Sequence, residues 1–205
     1  MLNAFELKCV RGKRTIFQNL SFRVNPGECL QLTGPNGSGK TSLIRILCGL
    51  MQPSRGTVLW KGSDIRRLGE DYPYCIDYLG HKHGIKEDLT PLENLQISCG
   101  LKGTELSSDS ALRALEHAGL HGRETVPARF LSEGERRRVA LARLVVSSAE
   151  LWLLDEILTS LDRTGVKIVQ SLLDHHMSRG GMAVFATHQN LDLSRGVFQR
   201  IELAA

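Results

Sequence analysis

The stretch Gly34-Pro35-Asn36-Gly37-Ser38-Gly39-Lys40-Thr41-Ser42 constrains this chain more than any other. It fits the spacing G-x-x-x-x-G-K-[ST] at Gly34, Gly39, Lys40 and Thr41. Glycines at these places let backbone N–H groups turn inward around phosphate oxygens, because no Cβ blocks the dihedrals. A helix that follows aims the positive end of its dipole at the same oxygens. Lys40 then reaches the β- and γ-phosphates, and the Thr41 hydroxyl is a ligand for Mg²⁺. The flanks supply the required context. Glu28–Thr33 (ECLQLT) reads as a strand before the loop. Lys40–Leu50 reads as a helix after it, with Leu43, Ile44, Leu47 and Leu50 at helical spacing. Residues 34–42 are therefore the candidate nucleotide-binding set.

Elsewhere short apolar runs alternate with helix-like segments, which predicts an α/β fold with a mostly parallel sheet. Leu20–Val24, Thr57–Trp60, Leu151–Leu154 and Ala183–Thr187 read as strands, with Asn25-Pro26-Gly27 as a turn. Ser110–Ala118, the arginine-rich Glu133–Ser147 and Arg163–Ser178 read as helices, and 100–110 and 120–127 as surface loops. The 205 residues fit one domain over 1–205. Within it, about 1–73 and 149–205 form the expected α/β core, and about 74–148 an inserted helical subdomain. Leu151–Leu154 (LWLL) is apolar on both faces, as in a central parallel strand. Two carboxylates end it. Asp155 suits the acid that holds Mg²⁺ opposite the phosphate loop, and Glu156 a base that orients the attacking water.

Composition excludes several alternatives. A net charge of +4 is too small to argue for nucleic acid. Five cysteines, an odd count with no C-x-x-C spacing, predict neither a disulfide framework nor a zinc site, and fit a reducing compartment. The opening MLNAFELKCV lacks the pattern of a signal peptide. No run approaches the roughly 18 apolar residues of a membrane span. Service to a membrane is thus expected to run through partners.

Leu131-Ser132-Glu133-Gly134-Glu135 (LSEGE), set before a basic helix, resembles the signature of the ABC ATPase family, usually written LSGGQ. Other marks of that family follow in order. Thr159–Asp162 (TSLD), with Ser160 and Asp162, resembles its dimer-contact loop. His188 in ATHQ resembles its switch histidine, a catalytic position beside Glu156. Tyr78–Glu93, with Lys82, resembles the loop that couples the ATP site to a membrane subunit. The resemblance covers essentially the whole chain. It implies a P-loop core with an N-terminal antiparallel β element and ATP and Mg²⁺ as ligands. It also implies head-to-tail pairing with a second copy or a homologous ATPase subunit, so that Ser132 and Gly134 meet the γ-phosphate held by the partner. Within the family, the likeness narrows to the short ATP-binding subunit of the cytochrome c maturation system, a haem exporter. The run YLGHKHGIKEDLTPLENL, the segment RRRVALARL and the ending ATHQ carry it. Multi-spanning membrane subunits and the cytoplasmic face of a bacterial inner membrane are then implied, with no nucleic acid.

The chain departs from the family pattern at several places. Glu133 and Glu135 replace glycine and glutamine, Ile157 stands where proline is common, and Lys82 replaces a glutamine. A lysine cannot offer an amide's acceptor oxygen, although it can pair with phosphate. The family's adenine-stacking aromatic falls near Arg11, and Phe17 reads as core. Glu133 is expected either to repel the partner's γ-phosphate or to turn toward Arg136 or Arg137. His81, Lys82 and His83 offer a His-x-His spacing without a third ligand, so direct haem ligation is not expected. A soluble ABC-type ATPase of another system, such as iron–sulfur assembly or translation, or a subunit of a different transporter, stays open as the alternative. A small GTPase or nucleotide kinase would leave the signature unexplained, and no N-K-x-D guanine-reading motif is present.

Overall fold

A computed structural model describes residues 1–187, 191, 193 and 197–204. The chain opens with β1 (Leu2–Arg11) and β2 (Arg14–Val24), followed by β3 (Glu28–Thr33) and α1 (Lys40–Leu47). Next come β4 (Arg55–Trp60), β5 (Ser63–Asp64), α2 (Asp71–Cys75), β6 (Ile76–Leu79), α3 (Pro91–Gly100), α4 (Ser108–His117) and α5 (Glu133–Val145). β7 (Leu151–Leu154), α6 (Arg163–Ser178), β8 (Met182–Ala186) and β9 (Val197–Glu202) complete it. Contacts divide the chain into two compact units. One holds Met1–Tyr78, Ala149–Ile157 and Leu173–Ala205; the other holds Leu79–Ser148 and Leu158–Leu172.

The first unit contains two sheets. One has the order β2-β1-β4-β5 and pairs antiparallel. The other has the order β6-β7-β8-β3-β9, with β7–β8, β8–β3 and β3–β9 parallel. β7 and β8 are buried along their whole length, which is why both read as unbroken apolar runs rather than alternating ones. Leu43, Ile44 and Leu47 of α1 join Leu2 and Leu7 of β1, Leu30 and Leu32 of β3, and Leu151 and Leu153 of β7 in one core. That packing fixes the direction of α1, and so the aim of its N-terminus. Phe17 packs against the same core. The predicted helix Lys40–Leu50 ends earlier, at Leu47, where Gly49 N–H turns back to the Ile46 carbonyl. β2 begins at Arg14 rather than Leu20. Its first half is largely exposed on both faces, so no burial period marks it in the sequence.

The second unit is helical. Leu95 of α3, Ala111, Ala114 and Leu115 of α4, and Val139 and Ala142 of α5 form its core. Alanines at the contacts let the helix axes approach closely. Thr90 and Glu93 make a capping box on α3, with Pro91 at its first turn, and Ser107 caps α4.

The end of α6 carries a partly buried titratable group in the first unit. The His176 ring stacks on Trp152 of β7 at 3.8 Å between centroids and 6° between planes. Its Nε2 lies 3.0 Å from the Met182 carbonyl, to which it donates. Burial pushes the imidazole down to about 4. An unfolded histidine titrates near 6.5, so as pH falls the unfolded chain takes up this proton first. Stability from this group is complete above about pH 6.5 and is lost as pH falls through the window toward 4. Between pH 7.5 and 5.0 the loss should be about 2 kcal/mol. His176→Phe keeps the stack and removes the titration. Urea unfolding of both proteins at the two pH values is expected to show wild type losing about 2 kcal/mol more than the variant. Equal losses would refute the assignment.

Candidate nucleotide-binding site

The phosphate loop is built by close approach. Gly34 and Gly39 have φ of 132° and 103°, a region side chains rarely adopt. A Cβ on Gly34 would also strike the Leu203 carbonyl and lie 2.8 Å from Ser38 Oγ, and one on Gly39 would press on Ile16. The loop thus folds back on itself and ends on the first turn of α1. Lys40 opens that helix and is 6% exposed. Its Nζ donates to the carbonyls of Gly34 at 2.7 Å and Pro35 at 3.0 Å, so the ammonium sits inside the loop. Among the described residues, Ser38 Oγ is buried in the loop with no hydrogen-bond partner, as expected of a group meant for a ligand.

β7 delivers the carboxylates to the same place. Thr41 Oγ1 donates to Asp155 Oδ1 at 3.2 Å, and Asp155 is 1% exposed. A hydroxyl and a carboxylate facing each other beside a phosphate loop are hard oxygen donors that suit Mg²⁺. Glu156 follows with φ of 51°, a left-handed conformation that costs a residue with a Cβ about 1–2 kcal/mol. A cavity of about 340 Å³ is lined by Asn36, Gly37, Gly39, Lys40, Thr41 and Ser42, with Arg11, Ile16, Arg45 and Glu156. Three of its lining side chains are cationic and one is acidic, a balance that suits a polyanion.

A model of the family described as ABC transporter matches residues 17–159. The chain belongs to the ABC transporter family. It is similar to the cytochrome c biogenesis ATP-binding export protein CcmA of Nitrosomonas europaea, at 55% identity over 95% of this chain and 91% of that protein. The CcmA protein of Nitrosospira multiformis is 50% identical, over 98% of each chain. In fold it resembles a bacterial ABC transporter cassette solved as a dimer, with a TM-score of 0.86 at 23% identity over 100% of this chain and 94% of that one. As an ABC ATPase, the chain binds ATP and is an ATP hydrolase.

Residues 34–42, Asp155 and Glu156 come together in the first unit. The signature residues, Lys82, Ser160 and Asp162 belong to the second. There, Ser132 caps α5. Its Oγ accepts from Glu135 N–H at 3.2 Å, and Glu135 Oε2 accepts from Ser132 N–H at 2.8 Å and from the Ser132 hydroxyl at 2.9 Å. Arg123 pairs with the other Glu135 oxygen at 3.0 Å, and these bonds hold the Glu135 carboxyl below the usual range. Leu131 is buried. Gly134 approaches the Ser160 carbonyl so closely that a Cβ would lie 3.0 Å from it. Asp162 accepts from Gly165 N–H at 2.8 Å and from Arg138 at 2.6 Å, capping α6 and tying it to α5. Lys82 is exposed. His188 lies outside the described residues.

Two features escaped the sequence reading. Arg45 lines the cavity from the second turn of α1, facing it beside Thr41 at a spacing of four, a helical signal that was present. Glu133, expected to turn toward Arg136 or Arg137 or to repel phosphate, bonds His83 at 2.6 Å, and that bond with the charges of Arg136 and Arg137 holds its carboxyl below the usual range. Nothing in the local sequence marks that pair.

Proposed function

We propose that the chain is the ATP-binding, ATP-hydrolysing subunit of a membrane-bound exporter in cytochrome c biogenesis, powering the export or release of haem or of its complex with a haem chaperone. The observation that carries this is near full-length identity of 55% and 50% to proteins bearing that name, in a chain whose phosphate loop, Thr41 and Asp155 are assembled. Its partners are a second copy of itself or a homologous ATPase subunit, and multi-spanning membrane subunits. Among the described residues no helix is long and apolar enough to cross a membrane. In this reading the chain sits at the cytoplasmic face of a bacterial inner membrane by contact with those subunits.

Each residue has a role in this reading. Loop amides and Lys40 bind the β- and γ-phosphates, the lysine exchanging its bonds to Gly34 and Pro35 for phosphate oxygens. Thr41 and Asp155 hold Mg²⁺, which when bound neutralises charge on the phosphates. Glu156 accepts a proton from the attacking water. His188 contacts the γ-phosphate. Ser132, Gly134 and the start of α5 act on ATP held by the opposing subunit, so ATP closes the pair and hydrolysis reopens it. Lys82 lies in the loop that couples this cycle to the membrane subunits, and Ser160 and Asp162 lie in the loop that meets the opposing subunit.

The isolated chain is expected to be a slow ATPase that its membrane subunits accelerate. Phosphate release is compared for the purified chain and for the complex extracted in mild detergent. Equal rates would favour the soluble alternative.

A further inference from the structure

His83 lies in the loop Gly80–Gly84 (GHKHG), and Glu133 opens α5 50 residues later. Their side chains meet, His83 Nε2 to Glu133 Oε1, at 2.6 Å. On the other side of the ring, Arg137 Nη1 lies 3.3 Å from His83 Nδ1 and donates to the Gly80 carbonyl at 3.0 Å. A guanidinium can only donate. Nδ1 therefore accepts from Arg137 and carries no proton. The ring proton is on Nε2, and Nε2–H donates to the Glu133 carboxylate. The partners thus fix the tautomer.

Burial decides which member of the pair positions the other. Arg137 is 1% exposed, and the His83 side chain is 15% exposed against 60% for Glu133. The ring hangs on a buried post, and the carboxylate is the movable end. The segment that follows the ring, Glu87–Leu89, is fastened to the region before and within α5. Ala128 N–H bonds the Leu89 carbonyl at 2.9 Å and Arg129 N–H the Glu87 carbonyl at 2.8 Å, while Arg136 pairs with Glu87 at 3.2 Å. Without a tether, a carboxylate in the first turn of a helix is drawn to that helix's own amide end, where an incoming phosphate would also bind.

We propose that His83 is a positioning residue that holds the Glu133 carboxylate off the amide end of α5, so that it does not add a second carboxylate beside the Ser132–Glu135 capping box where ATP bound by an opposing copy would approach. The inference rests on the proposed role of the signature, and it reassigns Glu133 from a source of repulsion to a restrained side chain. The test uses the full chain with Glu156→Gln, reading the ATP concentration at half-maximal dimer. His83→Ala should raise it about five- to tenfold, below the full scale of one charge-assisted hydrogen bond because the freed carboxylate is exposed to solvent. His83→Gln, which keeps a donor toward Glu133, should stay within about twofold of the parent. In a Glu133→Gly protein, adding His83→Ala should change it by less than about twofold, because no carboxylate remains to restrain. A merely structural His83 would give the same loss whether or not Glu133 is present, and that result overturns the inference, as does no loss at all. A parent that forms no ATP-dependent dimer would overturn the proposed role of the signature and the inference with it.

Discussion

Lys40→Ala is expected to abolish ATP turnover and weaken nucleotide binding while leaving the fold intact. The lysine opens α1, where alanine is a good helix former, and its apolar neighbours in the core, Leu43, Ile44 and Leu47, are untouched. Among the described residues its ammonium bonds the loop's own carbonyls of Gly34 and Pro35, and Lys40 itself lines a cavity that water can fill. Losing those bonds should cost about 1.5–3 kcal/mol, short of unfolding a domain. Phosphate binding loses a charge-assisted contact worth about 1.5–3 kcal/mol, so affinity should fall roughly tenfold to a hundredfold. Turnover falls further, because charge on the γ-phosphate changes during transfer and the cation beside it is gone. Lys40→Arg is not a rescue. A planar fork cannot enter the space that a single ammonium fills between two carbonyls. Calorimetric ATP titration, phosphate release and far-ultraviolet circular dichroism check the three parts. Normal turnover in a folded Lys40→Ala protein would sink the site.

The phosphate loop and its flanks were legible because each requirement there is local. Glycines, lysine and threonine are spaced along one strand–turn–helix, and the burial of LWLL on both faces is written in four adjacent residues. The capping box of α5 has the same local basis, since Ser132 and Glu135 are three apart. The rest of the site depends on distant segments. Arg11 is placed at the nucleotide by the family's adenine position, but Ile16 reaches the cavity only because β1 and β2 pair around their turn, and nothing near it carries a phosphate motif. The three arginines 136–138 look alike in sequence, yet have different fates. Arg136 pairs with Glu87, Arg137 is buried, and Arg138 bonds Asp162. Helical phase explains the middle one. Positions 137, 140, 141 and 144 share a face of α5, and Ala140, Leu141 and Leu144 are all buried. That period was readable. The partner at Gly80 and His83 that makes a buried guanidinium tolerable was not, because it lies more than fifty residues away.

Glu156→Gln should stop hydrolysis and keep ATP binding, so that an ATP-closed dimer accumulates. The amide has the shape of the carboxylate and lines the same cavity with Lys40 and Thr41, but it cannot take a proton from water. Removing a general base lowers turnover by roughly 10²–10⁴-fold. Binding should not weaken, because the change removes a negative charge from a cavity that receives phosphates. At an effective dielectric of about 20, unit charges some 8 Å apart repel by ~2 kcal/mol before salt screening. Light scattering after size separation, with and without ATP, should show more dimer than in wild type. The backbone offers an independent check that Glu156 is kept for chemistry rather than for folding. With φ of 51°, Glu156 is strained where asparagine is tolerated far better. Glu156→Asn is therefore expected to be at least as stable as wild type and inactive, because its amide cannot serve as base. A variant that is less stable, or one that turns over ATP normally, would mean that this carboxylate holds structure and that the base lies elsewhere in the chain.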